Sequence, residues 1–176
     1  MSMDEVRSDD AATLQAIISS RFAVGDVLTS PSMPLDRETV DAFDRGTWLD
    51  LAYPGPEPDA YGEDLIPGFM SLSLLDALAV FATREAGLAR NEDSYGLNYG
   101  LGKVRFVRRL QVGDTVSADF VIRSVAPRGE GVLVTRDCTL YVEPEHEVAL
   151  VAEWLSLHLP TDRPPEGPRS VTREEH

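Results

Sequence analysis

Residues 65–81 read LIPGFMSLSLLDALAVF, and the organisation of the chain follows from what such a segment demands. Between Gly68 and Leu88 lie Phe69, Met70, Leu72, Leu74, Leu75, Ala77, Leu78, Val80, Phe81 and Ala82. These positions cover almost the full circumference of a helix. A helix that is apolar nearly all round is buried on most of its sides. Arg84 and Glu85 mark its emergence into water, and Gly87 supplies the C-terminal stop.

What covers this helix comes after it. Residues 99–110, 115–125, 131–142 and 148–159 read as strands, with Val116, Ala118, Phe120 and Ile122 alternating in the second of them. PRGEG (127–131) and EPEHE (143–147) are hairpin-turn signals. Long strands joined by tight links make an antiparallel sheet, and a curved sheet wrapped around one helix is an α+β arrangement.

Upstream of residue 65 the elements are shorter. DDAATLQAIISS (9–20) places Leu14, Ile17 and Ile18 at helical spacing, which predicts a short N-terminal helix. FAVGDVL (22–28) reads as a strand broken by a Gly-Asp turn, and Asp36 caps a helix that runs through Phe43, with Gly46 available to end it. V-G-D followed by a strand recurs at 110–118, where LQVGDTVSA echoes FAVGDVLTS (22–30). In each, Gly permits a turn and Asp can bond the next backbone amides; two unrelated Gly-Asp turns would read the same way. Four prolines and two glycines make 50–67 a long loop, and long loops in small domains often carry function. The expected division is an extension with a short helix (1–20), one folded domain (21–160) and a disordered tail (161–176), since PTDRPPEGPRSVTREEH (160–176) is rich in proline.

Composition sets the outer limits. The 176 residues are 43% hydrophobic, with 16 basic and 30 acidic side chains and a net charge of −14, which disfavours nucleic acid and anionic membranes as partners. A single cysteine, Cys138, rules out an intrachain disulfide and a thiolate zinc site. It suits a reducing compartment, and the acidic start MSMDEVRSDD does not read as a signal peptide, so a cytoplasmic location is expected. The acid is uneven: 36–64 holds nine carboxylates and two arginines, whereas 103–109 holds Lys103, Arg105, Arg108 and Arg109 and no acid.

The order V-G-D and strand, short helix ending in Ala42-Phe43, Pro-rich loop, Leu65-Ile66-Pro67-Gly68, and then Arg105-Phe106 to Gly113-Asp114 resembles the MaoC-like branch of the hotdog fold. The resemblance spans residues 20–159. That branch contains (R)-specific enoyl-thioester hydratases and 3-hydroxyacyl dehydratases. It implies a six- or seven-stranded sheet around a central helix, an edge-to-edge dimer, and an acyl-thioester tunnel at the interface. The thioester would be attached to coenzyme A or to an acyl carrier protein. In that frame Pro67, Gly68, Phe69, Met70 and Ser71 would bind the thioester, with the backbone N–H groups of Gly68, Phe69 and Met70 at the helix start polarising its carbonyl; Gly68 also reads as an N-cap glycine. No cofactor or metal is expected.

The departure from the family lies in the loop before the helix. Active members carry D-x-N-P-x-H there, since hydration needs one group to deprotonate water and another to protonate carbon. Sliding that motif along this chain sets Trp48 at the Asp, Asp50 at the Asn and Tyr53 at the His, so neither catalytic residue matches. The histidines are His146, His158 and His176, all in the last third. Asp50 as base and Tyr53 as donor remain a candidate pair; cap and packing roles are the alternative. Asp59, Glu63 and Asp64 read as a solvated acidic loop, and Ser71 and Ser73 have no histidine beside them. Asn98 and Tyr99 either contact the acyl group or serve as ladder and turn residues. Lys103, Arg105, Arg108 and Arg109 either bind phosphates of the carrier or form a solvated strand face. The expected function is a dehydratase- or hydratase-like enzyme with a replaced acid/base pair. Its rivals are a non-catalytic subunit paired with a complete MaoC-like partner, and a thioesterase.

Overall fold

A computed structural model of the chain describes residues 3–52, 64–88 and 94–161, with side chains from residue 12 onward. Among these residues six strands form one antiparallel sheet: β1 (Val27–Thr29), β2 (Met33–Pro34), β3 (Ser94–Phe106), β4 (Thr115–Arg128), β5 (Gly131–Glu143) and β6 (Glu147–Pro160). They lie in the order β1-β4-β5-β6-β3, with β2 also paired to β4, so β3 is an edge. The helices are α1 (Met3–Arg21), α2 (Arg37–Thr47), the short α3 (Leu49–Ala52) and α4 (Gly68–Glu85).

Strand alternation positions the core. On β5, Val132, Val134, Arg136, Cys138, Leu140 and Val142 all point inward and are buried. On β6, Leu150, Ala152, Trp154 and Ser156 do the same. Met70, Leu75, Leu78 and Ala82 of α4 pack in the same cluster with Phe120 and Ile122 of β4, and Leu14, Ile18 and Phe22 join it from α1. Burying a side chain of this size contributes about 1.5–3 kcal/mol. The sheet-on-helix arrangement therefore holds without a disulfide.

Several expectations need correction. The N-terminal helix is longer than 9–20, and the chain leaves it at Phe22 directly into a turn, so the strand begins at Val27. Asp36 does cap α2, its Oδ1 accepting from the Thr39 amide at 2.8 Å, but Gly46 stays within the helix. Trp48 ends it instead, in the left-handed region at φ 61°. The head of the Pro-rich loop is not irregular either: 49–52 form α3.

The last correction concerns α4. One stripe is buried, but Phe69 is 77% exposed and Val80 46%. The apolar residues that complete its circumference face outward in a single chain, beside exposed Leu97, Tyr99, Leu101 and Phe106 on the edge strand β3. At its other end Gly87 acts as expected: with φ 71° it donates to Arg84 O at 2.9 Å while Leu88 donates to Thr83 O at 3.1 Å, a Schellman closure.

The two V-G-D segments adopt the same turn. Asp26 N donates to Ala23 O and Asp114 N to Gln111 O, both at 3.0 Å. Each Asp carboxylate accepts from the amide three residues earlier, Ala23 at 2.9 Å and Gln111 at 2.8 Å. The carboxylates thus bond preceding amides, not following ones. Gly25 and Gly113, at φ 96° and 97°, supply the positive φ that a reciprocal turn of this kind requires at its third position.

Candidate functional site

The start of α4 is fastened to the β3–β4 connection. Ile66 N donates to Leu110 O at 2.9 Å and Val112 N to Asp64 O at 2.8 Å. Pro67 is the N-cap residue and no side chain caps the helix; the first helical bond runs from Ser71 N to Pro67 O at 3.1 Å. The amides of Gly68, Phe69 and Met70 precede that bond and belong to the first turn, where helix donors have no intrahelical partner. A methyl group on Gly68 would come to 3.4 Å from the Phe106 ring, so the glycine backbone lies against that ring.

Two cavities of about 400 and 510 Å³ run along α4 beneath β3 and share Asp76, Asn98 and Trp154. The smaller one lies at the helix start, with Phe69, Leu72 and Ser73 in its wall. The larger follows α4 past Val80 to Arg84 and has Phe22, the residue after α1, in its wall. Together they form one groove between α4 and the edge strand.

The far end of that groove is polar. Arg136 is 6% exposed, and its Nη1 donates to Ser156 Oγ at 2.6 Å. Its guanidinium carbon lies 5.0 Å from the Phe22 ring centroid and 5.4 Å from that of Trp154. Burial lowers its pKa to about 10, so it stays charged at neutral pH. Ser156 Oγ is 3.3 Å from His158 Nε2. Burial, reinforced by Arg136 and Arg21, pushes His158 down to about 4. His158 is therefore neutral, and the serine hydroxyl, which accepts from Arg136, is free to donate to its Nε2. Trp154 Nε1 donates to Asn98 Oδ1 at 3.1 Å. This cluster was missed in the sequence. The signal was present in phase: Arg136 occupies an inward position in an otherwise apolar alternation on β5.

The residues singled out in the sequence separate into groups. Phe69 lines the groove and Gly68 is exposed next to it, whereas Met70 and Ser71 turn their side chains into the core. Asn98 and Tyr99 line it; Tyr99 Oη also accepts from Arg128 at 3.0 Å. Asp50 sits exposed on α3, its Oδ1 accepting from the Leu51 amide at 2.9 Å, and it lines neither cavity. Tyr53 lies outside the described residues. Of the basic run, Lys103, Arg105 and Arg109 are exposed. Arg108 pairs with Asp114 at 3.6 Å and Glu147 at 3.2 Å, so its charge is already balanced by two carboxylates. His146 stacks on Tyr141 at 3.8 Å and pairs with Glu143 at 3.0 Å in the β5–β6 hairpin. Among the described residues, no cluster of His, Cys, Asp and Glu could hold a metal, and no helix is long and apolar enough to cross a membrane.

A curved antiparallel sheet around α4, with an uncapped helix start opening on an apolar groove, defines a hotdog-fold protein. No protein-family model matches the chain. It is 34% identical over 139 residues to nodulation protein N of Rhizobium leguminosarum bv. viciae, covering 74% of this chain and 83% of that protein. To 3-hydroxyacyl-thioester dehydratase Z of Mycobacterium tuberculosis (strain CDC 1551 / Oshkosh) it is 30% identical over 149 residues, covering 80% and 94%. The MaoC-like dehydratase from Rhodospirillum rubrum superposes with a TM-score of 0.59 over 82% of this chain and 97% of its own, at 16% identity. The chain belongs to the MaoC-like dehydratase family.

Proposed function

We propose that this protein binds acyl thioesters, with the carbonyl at the start of α4 and the acyl chain in the groove, and that it acts on 3-hydroxyacyl or enoyl thioesters as a hydratase- or dehydratase-type enzyme. The observation that carries this reading is the uncapped first turn of α4 opening onto the groove. Aligned amides there stabilise the negative charge that grows on the carbonyl oxygen when a proton leaves or joins the neighbouring carbon. Apolar walls exclude water and strengthen that interaction. Asp50 and Tyr53 are the acid/base candidates of this reading; Asp50 lines neither cavity, so their role rests on the mutational test below.

A second reading has one observation in its favour. Among the described residues, the groove at the helix start has no histidine in its wall; His158 stands at the opposite end and His146 in a hairpin. A half-site of this kind suits a subunit whose partner contributes the Asp and His. The exposed apolar residues of α4 and β3 offer the surface for such a partner, or for a second copy of this chain.

The test is turnover by the purified chain alone. Loss of the enoyl absorbance of crotonyl-CoA, reduced by at least tenfold in Asp50→Asn or Tyr53→Phe, supports the enzyme. Binding without turnover supports the subunit. Release of free thiol without hydration would redirect the assignment to thioester hydrolysis, and failure to bind any acyl-CoA would remove it altogether.

A further inference from the structure

We infer that the far end of the groove is a carboxylate-binding site, in which Arg136 receives an acidic group carried at the distal end of the aliphatic chain. The inference rests on the acyl-thioester reading for the near end of that chain, but the anion site stands on its own observations.

The first is an unbalanced charge. Arg136 is more than nine-tenths buried, and among the described residues it faces no carboxylate; Ser156 is its hydrogen-bond partner. A guanidinium has five N–H donors in a planar fork. Ser156 takes one, and a planar carboxylate is the group whose two oxygens match that fork. Phe22 and Trp154, flanking the guanidinium, leave it open toward the cavity it lines.

The second is the charge of the cavity as a whole. The chain carries −14, yet among the described residues the larger cavity is lined by Arg21, Arg84 and Arg136 against the single carboxylate of Asp76. An acidic protein has concentrated cations where an apolar chain would end. A simple alkyl terminus would leave the buried guanidinium unmatched, at an unrecovered desolvation cost.

The third is reach. Asp76, where the two cavities meet, lies eight residues beyond Gly68, about 12 Å along the helix axis. A chain of about that length leads from a thioester at the helix start to the larger cavity, which sets the range of diacids compared below.

The experiment compares octanedioyl-, decanedioyl- and dodecanedioyl-CoA with the matched monoacyl-CoA esters by calorimetry on the full chain. Decanoate and decanedioate serve as free acids, and the Arg136→Met and Arg136→Lys variants are checked for folding by circular dichroism. At one length or more the diacid thioester is expected to bind at least tenfold more tightly than its monoacyl counterpart. That advantage should vanish in Arg136→Met and survive in part in Arg136→Lys. Equal or tighter binding of the monoacyl ester at every length overturns the inference and leaves the acyl-thioester reading intact. If no thioester binds but the free acids do, in an Arg136-dependent manner, the carboxylate site stands and the thioester reading falls. Binding of none of these probes overturns both. The comparison on the unaltered chain decides the matter even if a variant fails to fold.

Discussion

The guanidinium of Arg136 rests 5.4 Å from the ring of Trp154, whose indole N–H is held by Asn98 Oδ1 at 3.1 Å. Phe22 closes the other side at 5.0 Å. Cation–π contacts of this kind contribute about 0.5–2 kcal/mol each, whereas desolvating a guanidinium without a counterion costs several kcal/mol. The second effect is larger, so Arg136 weakens the fold it sits in. A residue that costs stability at the end of a groove is characteristic of a site kept for binding.

Arg136→Met should therefore raise unfolding stability by about 1–2 kcal/mol, because it removes the charge and keeps the volume between the two rings. Arg136→Ala opens a cavity there and should be less stable than the Met variant by about 2 kcal/mol. Urea unfolding of the three proteins measures this; a Met variant as unstable as the Ala variant contradicts it.

His158 predicts a pH dependence. Its ordinary value near 6.5 is pushed down to about 4 by burial, with Arg136 and Arg21 reinforcing the shift; Arg84 and Asp76 also line the same cavity. Between these values the unfolded chain binds a proton that the folded chain refuses. Stability is fully present above pH 6.5, declines as pH falls, and loses up to roughly 3 kcal/mol by pH 4. His158→Gln should flatten this part of the profile. The difference between wild type and variant isolates it from the carboxylates, and parallel profiles would rule it out.

Gly68→Ala is expected to fold normally and to gain a few tenths of a kcal/mol, since its methyl group meets Phe106 at 3.4 Å and alanine favours helix. Gly68→Val should fold too, but weaken acyl-CoA binding by at least tenfold by covering the first-turn amides. Thermal unfolding and calorimetry on both variants separate the two effects. Undiminished binding by the valine variant would place the carbonyl elsewhere.

The paired turns predict paired losses. Gly25→Ala and Gly113→Ala each force a side chain to a φ near 97°, and each should cost about 1–2 kcal/mol. Asp114→Ala should cost more than Asp26→Ala, because Asp114 also meets Arg108 at 3.6 Å. Equal losses for the two aspartates would mean that this ion pair contributes nothing.

Much of the architecture was legible in the chain. The helix of 68–85 and the strands after 94 follow from apolar periodicity, a local property that needs no knowledge of neighbours. The Asp36 cap and the Gly87 stop were equally readable, since each acts within a turn of its own backbone. Trp48 as a helix terminator was not, because a left-handed tryptophan runs against intrinsic preference.

Less of the site was legible. Pro67 and Gly68 stood out in the sequence and lie at the helix start, which no side chain caps; Asn98 and Tyr99, singled out either as acyl contacts or as ladder and turn residues, lie within β3, which begins at Ser94. Asp50 drew attention by its position in the loop, yet its carboxylate faces solvent and bonds the next amide. Arg136, Ser156 and His158 stand on two neighbouring strands, and Phe22, whose ring meets Arg136 and His158, follows α1 more than a hundred residues earlier. By itself the sequence determined the helix, the strands, the turns and the scarcity of histidine, because each is written in spacing along one segment. Only the tertiary structure decided that a buried cation waits at the end of the groove, because burial and counterion distance depend on residues far apart in the chain.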